Sequence, residues 1–203
     1  VKFENVDPGT YTLAENPTEG QRAMFTESPD FTVEIKADGT CTIESPEADN
    51  VVHDGKGYRI VNTYNVGTLA LQKVDAGEAG TVLSGAEFAL SPEGSDKLAA
   101  YLVEDQAQAG AYVLATSGVL ADRGPLDTDE NGAPYLAPDE SGELKLVAGT
   151  YTLAETAVPE GYDGFISPEQ RSVTMETGKT PIAITVANEK IVPVTHTVSK
   201  DWD

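Results

Sequence analysis

The sequence predicts an all-β chain folded as β-sandwich domains, and three observations carry that prediction. Short segments alternate apolar and polar side chains with a period of two, Gly, Pro and Asn-Gly punctuate them, and no βαβ alternation runs along the 203 residues. Leu69, Leu71 and Lys73 share one face of a first segment, with Thr68, Ala70 and Gln72 on the other. Tyr151, Leu153 and Glu155 alternate in the same way with Thr150, Thr152 and Ala154. In a third segment, Ile182, Ile184, Val186 and Asn188 face away from Ala183, Thr185 and Ala187. Asp38-Gly39 and Asn131-Gly132 are hairpin-turn dipeptides, because both tolerate positive φ. One helix is expected, over Ser95–Glu104, with Ser95 as N-cap ahead of Leu98, Tyr101 and Leu102.

Composition narrows the function. Thirteen Lys and Arg stand against 34 Asp and Glu, a formal net charge of −21. Such a chain repels phosphate backbones and anionic lipid, so neither nucleic acid nor a membrane surface is an expected partner. No apolar run approaches the ~18 residues of a membrane span. Roughly a fifth of the residues are Leu, Ile, Val or Phe, enough for a thin core. Cys41 is the only cysteine and His53 and His196 the only histidines, a poor basis for zinc or an internal disulfide. Neither a metal nor another cofactor is expected.

An internal repeat sets the domain organisation. Gly-Thr-Tyr-Thr-Leu-Ala-Glu occurs unchanged at Gly9–Glu15 and at Gly149–Glu155, 140 residues apart. That offset fits a domain-sized unit rather than a solenoid repeat. Junctions are expected at Asn65–Gly67 and, with Pro193, at Ile191–Val194, giving domains 1–65, 66–191 and 192–203. Each of the three alternating segments then carries a polar residue, Lys73, Glu155 or Asn188, on its apolar face. In a core such groups are costly unless they compensate one another.

These residues reach a known family. Leu71-Gln72-Lys73-Val74-Asp75 followed by Leu83-Ser84-Gly85-Ala86-Glu87-Phe88-Ala89-Leu90 resembles the opening of the Cna-B domains of Gram-positive pilins and adhesins. Gly149–Thr156, with Pro159-Glu160-Gly161-Tyr162 after it, resembles their E-box, and Val186-Ala187-Asn188-Glu189-Lys190 their closing strand. The match spans about residues 67–190 with the signatures in family order. The resemblance implies an Ig-like Cna-B β-sandwich in tandem arrangement. It also implies an intramolecular isopeptide bond in which Lys73 is the nucleophile, Asn188 the electrophile and Glu155 the assisting acid. The physical requirements stand beside it: the amine must be neutral, which burial favours, and a buried carboxylic acid can stay protonated and donate to a carboxamide. One ammonia leaves in a single turnover, so this is not an enzyme in the turnover sense. The implied setting is a secreted, cell wall-anchored pilin or adhesin stalk, with other pilin or adhesin domains as partners. A host-ligand-binding adhesin module, contacting extracellular matrix, stands as the alternative.

The ends of the chain read as pieces of further domains. Glu15 in the first heptapeptide and Asn62, on the face of Tyr58 and Ile60, form a second acid–electrophile pair. Glu15 lacks the Gly-Tyr ending after it, and no donor strand precedes it; Lys2, just ahead of Gly9, is a poor donor. Residues 1–65 therefore read as the later half of such a domain. Val194, His196, Val198 and Lys200 alternate like a first strand, with Lys200 as donor to a following domain and Trp202 as its core anchor. Asp127-x-Asp129-x-Asn131-Gly132 imitates the start of a calcium loop, but Pro138 stands where the bidentate Glu belongs, so a turn is expected. Cys41 is expected to be a small buried residue, and the acidic excess a solvated exterior.

Overall fold

The computed structural model describes the chain apart from residues 1–2, 46–49, 54, 56, 116–122, 140, 166–170, 179, 196 and 201–203 and the side chains of 19 and 20. Lys2, His196 and Trp202 lie outside the described residues. The chain divides into two compact units, Val1–Asn65 and Val66–Asp203. No described helix is long and apolar enough to cross a membrane.

The first unit is a small antiparallel assembly. Strand β1 (Gly9–Leu13) pairs with β2 (Phe31–Ile35), and β2 with β3 (Cys41–Glu44). A hairpin of β4 (Val51–His53) and β5 (Tyr58–Ile60) follows. The β2–β3 turn falls on Asp38-Gly39: Gly39 takes φ +84°, and the Asp38 carboxylate accepts the Thr40 N–H at 2.9 Å. Helix α1 (Glu19–Met24) begins at a capping box in which Thr18 and Gln21 satisfy each other's backbone N–H groups. Phe31 is the only fully buried apolar side chain among the described residues of this unit. Cys41 is exposed, contrary to expectation, because it opens the edge strand of a three-stranded sheet.

The second unit is a β-sandwich. Its strands are β6 (Val66–Gly67), β7 (Leu69–Asp75), β8 (Glu87–Pro92), β9 (Ala100–Glu104), β10 (Ala111–Leu114), β11 (Leu136–Pro138), β12 (Leu144–Val147), β13 (Gly149–Ala157), β14 (Tyr162–Phe165), β15 (Ser172–Met175) and β16 (Ile182–Lys190). Eight of them hydrogen-bond in the order β14-β16-β7-β10-β9-β8-β13-β15, and β11-β12-β6 form a smaller sheet. The long sheet folds over on itself. Phe88 of β8 lies edge-on to Tyr112 of β10, at 5.0 Å between centroids, and 6.4 Å from Phe165 of β14 at the far end of the order. Leu69, Leu71, Leu90, Leu102, Leu153 and Val186 fill the space between the layers. Each full burial contributes about 1.5–3 kcal/mol.

The helix expected over Ser95–Glu104 does not form. Ala100–Glu104 is a strand held between β8 and β10, and its inward residues are Ala100 and Leu102. The Ser95 hydroxyl accepts only the Lys97 N–H, within a turn over residues 92–95. Two flanking strands override a weak local helix signal. Asn131-Gly132 does make the expected turn, with the Asp129 carboxylate accepting the Asn131 and Ala133 N–H groups. No strand forms among the described residues of 191–200. A strand needs a paired neighbour for its backbone groups, and no described strand pairs with this segment.

Candidate functional site

The site is built where the second unit's first long strand meets its last. Strands β7 and β16 run parallel, paired from Ile182↔Leu69 to Asn188↔Asp75. Their inward faces are Leu69, Leu71 and Lys73 on one strand and Ile182, Ile184, Val186 and Asn188 on the other, as their alternation requires. Lys73 and Asn188 are both wholly buried. The Lys73 N–H donates to the Gly110 carbonyl at 2.8 Å. Gly110 holds φ +71°, and a Cβ there would stand 2.7 Å from Val82, so this approach requires glycine.

Glu155 arrives from the opposite layer on β13. It pairs with Phe88 of β8, and the register slips between Glu155 and Ala157. Such a bulge re-aims the side chain beside it. The Glu155 side chain is 1% exposed.

The three polar groups close on one another. Lys73 Nζ lies 2.9 Å from Glu155 Oε1 and donates to Asn188 Oδ1 in a short contact. Asn188 Nδ2 donates to the same Glu155 Oε1 at 3.0 Å. Glu155 Oε2 is buried without a hydrogen-bond partner. The amine sits 5.7 Å from the Phe88 ring and 5.8 Å from the Phe165 ring, which exclude water from it. Desolvation pulls the Lys73 pKa below the ordinary lysine value, while its contact with Glu155 opposes that shift. The arrangement therefore presents an amine, a carboxamide carbon and a carboxyl group in mutual reach, in a dry pocket.

The second acid–electrophile pair also meets, under different conditions. Asn62 Nδ2 donates to both Glu15 oxygens, at 3.1 and 3.3 Å. Glu15 is exposed and Asn62 half-buried. The Asn62 carboxamide oxygen accepts from the Ser28 hydroxyl at 2.8 Å, where its counterpart Asn188 meets the lysine amine. Lys200 is exposed, in the segment beyond β16. The motif reading overlooked Phe165 as a wall of the pocket. Its signal was available, because Phe25 and Phe165 stand at one spacing after the two copies of the heptapeptide.

A two-layered β-sandwich whose first and last strands lie side by side is the architecture of a prealbumin-like domain. The chain belongs to the SpaA family of prealbumin-like fold domains, whose model matches residues 67–190. This agrees with the Cna-B resemblance of its signatures. The chain also has a likeness to solved structures. The C-terminal fragment of the pilus adhesin SpaC from Lactobacillus rhamnosus GG is 16% identical over 95% of this chain and 80% of that one, with a TM-score of 0.46. GBS52, the minor pilin of Streptococcus agalactiae, is 19% identical over 94% of this chain and 84% of that one, with a TM-score of 0.39. The Bacillus anthracis TIE protein is 19% identical over 80% of this chain, which spans only 29% of that protein, with a TM-score of 0.44. No curated protein sequence matches significantly.

Proposed function

We propose that residues 66–191 are a load-bearing stalk domain of a secreted, cell wall-anchored pilin or adhesin, closed by an autocatalytic isopeptide bond between Lys73 and Asn188. The observation that carries this reading is the mutual contact of Lys73, Glu155 and Asn188 within a largely apolar core. Burying an ion pair is expensive, and here one carboxylate oxygen has no partner at all. Consuming the lysine's charge removes that burden permanently.

The chemistry follows from the contacts. A proton passes from the Lys73 ammonium to Glu155 across their 2.9 Å contact, leaving a neutral amine and a neutral acid. The Asn188 carboxamide turns over about its Cβ–Cγ bond, so that its oxygen accepts from the Glu155 O–H. Lys73 Nζ attacks Asn188 Cγ, and Glu155 stabilises the charge developing on the oxygen. As the tetrahedral intermediate collapses, a proton from Nζ goes to the departing nitrogen through Glu155. The Cγ–Nδ2 bond breaks, ammonia leaves, and a secondary amide joins β7 to β16. Glu155 ends with the proton the ammonium first carried. The protein supplies proximity and acid–base help for one turnover.

The mechanical reading comes from strand direction. Load entering at the start of β7 and leaving at the end of β16 would pass through the amide, sparing residues 74–187. Membership of the SpaA family and the Cna-B signatures support a structural surface role, with other pilin or adhesin domains as partners. On the same reading, residues 1–65 are the later half of a sister domain. Glu15 and Asn62 are its acid and electrophile, awaiting a lysine from another strand, and residues 192–203 begin a following domain with Lys200 as donor. The test is peptide mapping by mass spectrometry. A branched peptide joining Lys73 to Asn188, absent from Lys73→Arg, is expected. Two separate unmodified peptides from the unaltered chain would refute the bond.

A further inference from the structure

Beside the reactive groups lies a second buried carboxylate that the chemistry above does not use. Asp75 ends β7 on the same inward face as Lys73 and is 8% exposed. Its Oδ1 accepts the N–H groups of Gly77 at 2.7 Å and Glu78 at 3.0 Å. Its Oδ2 accepts the Tyr162 hydroxyl at 2.9 Å. Strand order makes this last contact informative. Tyr162 belongs to β14 and Asp75 to β7, and β16, which carries Asn188, lies between those strands. The Asp75–Tyr162 bond therefore spans the strand that holds the electrophile.

Backbone bonds tighten the same place. The Ala76 N–H donates to the Asn188 carbonyl at 2.9 Å, and the Ile191 N–H to the Gly161 carbonyl at 2.8 Å. Tyr162 pairs with Lys190 across the β14–β16 edge. Asn188 is thus clasped from both flanks. A slip of one residue along β16 would turn its carboxamide out of the core, because side chains alternate between faces.

The geometry points to Asp75 and Tyr162 as positioning residues that lock the β7–β16 register and so hold Asn188 Cγ in line with the Lys73 amine. This rests on the isopeptide reading and deepens it. The first unit offers a contrast: the position equivalent to Tyr162 is Arg22, on α1, which pairs with Glu27 instead.

The test uses the full chain made by cell-free synthesis and sampled over time by intact mass. Tyr162→Phe should lose ammonia about tenfold more slowly than the unaltered chain, since small misplacements of reacting groups carry penalties of that order or more. Asp75→Asn should recover most of the rate, because its amide N–H can donate to the tyrosine oxygen, whereas Asp75→Ala should not. Tyr162→Phe reacting at the unaltered rate overturns the inference. A second measurement is independent of the bond. In a Glu155→Ala background, hydrogen exchange of the Ala76 amide should speed up on adding Tyr162→Phe, and unchanged protection overturns the clasp. An unaltered chain that never loses ammonia refutes the isopeptide reading instead, while the exchange experiment still decides the clasp.

Discussion

The two copies of one heptapeptide sit in the same local geometry and in opposite surroundings. Gly9 lies opposite Ile35 and Tyr11 opposite Val33, just as Gly149 lies opposite Met175 and Tyr151 opposite Val173. Each tyrosine hydroxyl donates to the carbonyl four residues earlier, Asp7 or Val147, at 2.7 Å. Each heptapeptide ends in a glutamate that accepts from an asparagine carboxamide. Yet Tyr151 is 3% exposed and Tyr11 39%, while the Glu155 side chain is buried and Glu15 exposed. The motif specifies a strand and its hydrogen bonds. The enclosing layers, above all β7 with its lysine, make the difference between a surface contact and a site able to react.

Substitution of the two glutamates should break this comparison most sharply. Glu155→Ala removes the acid and, on the proposed reading, the cross-link between residues 115 apart, an expected loss of about 4–5 kcal/mol in the chain-entropy model. Glu15→Ala, at an exposed position, should change stability by no more than about 0.5 kcal/mol. Chemical denaturation of each variant beside the unaltered chain checks both.

Next in size is a pH effect confined to the second unit. Burial lowers the Lys73 pKa in the folded, unlinked state. The unfolded chain then binds more protons between that lowered value and the ordinary lysine value, so unlinked stability rises with pH across that window. Below the window the penalty for a buried ammonium is fully present. The rate of ammonia loss in freshly synthesised chain should stay level while Lys73 and Glu155 share one proton, and fall where the pair gives that proton up at high pH or takes up a second at low pH. A rate that climbs about tenfold per pH unit through neutral pH would argue against proton transfer from Lys73 to Glu155.

The smallest effect compares the two tyrosines. Tyr151→Phe strands the buried Val147 carbonyl and should cost about 1 kcal/mol, whereas Tyr11→Phe leaves Asp7 to water and should cost a few tenths. Equal costs, measured by denaturation in a Glu155→Ala background, would mean that burial does not separate the two copies.

Much of this was legible from alternation alone. Period-two patterning identifies the strands and puts Lys73, Glu155 and Asn188 on inward faces, because a strand offers only two faces. It cannot show that β13 lies across the sandwich from β7, which depends on the sheet folding over. The expected helix over Ser95–Glu104 fails because Leu98, Tyr101 and Leu102 fit a helical spacing in isolation. Only the flanking strands β8 and β10 show Ala100 and Leu102 to be the buried pair. The true helix, Glu19–Met24, was readable from its Thr18-x-x-Gln21 capping box. Asp75 and Tyr162 both fall within the family signatures, but their contact spans 87 residues and an intervening strand, beyond the reach of local pattern.

On the proposed reading, the buried triad completes a covalent bond while the exposed pair does not. Intact mass of the purified chain, beside Glu155→Ala, tests it most directly. The account predicts the loss of one ammonia from the unaltered chain and none from the variant. A full, unreacted mass for the unaltered chain would contradict it, and two losses would contradict the claim that Glu15 and Asn62 stay inert without a buried lysine.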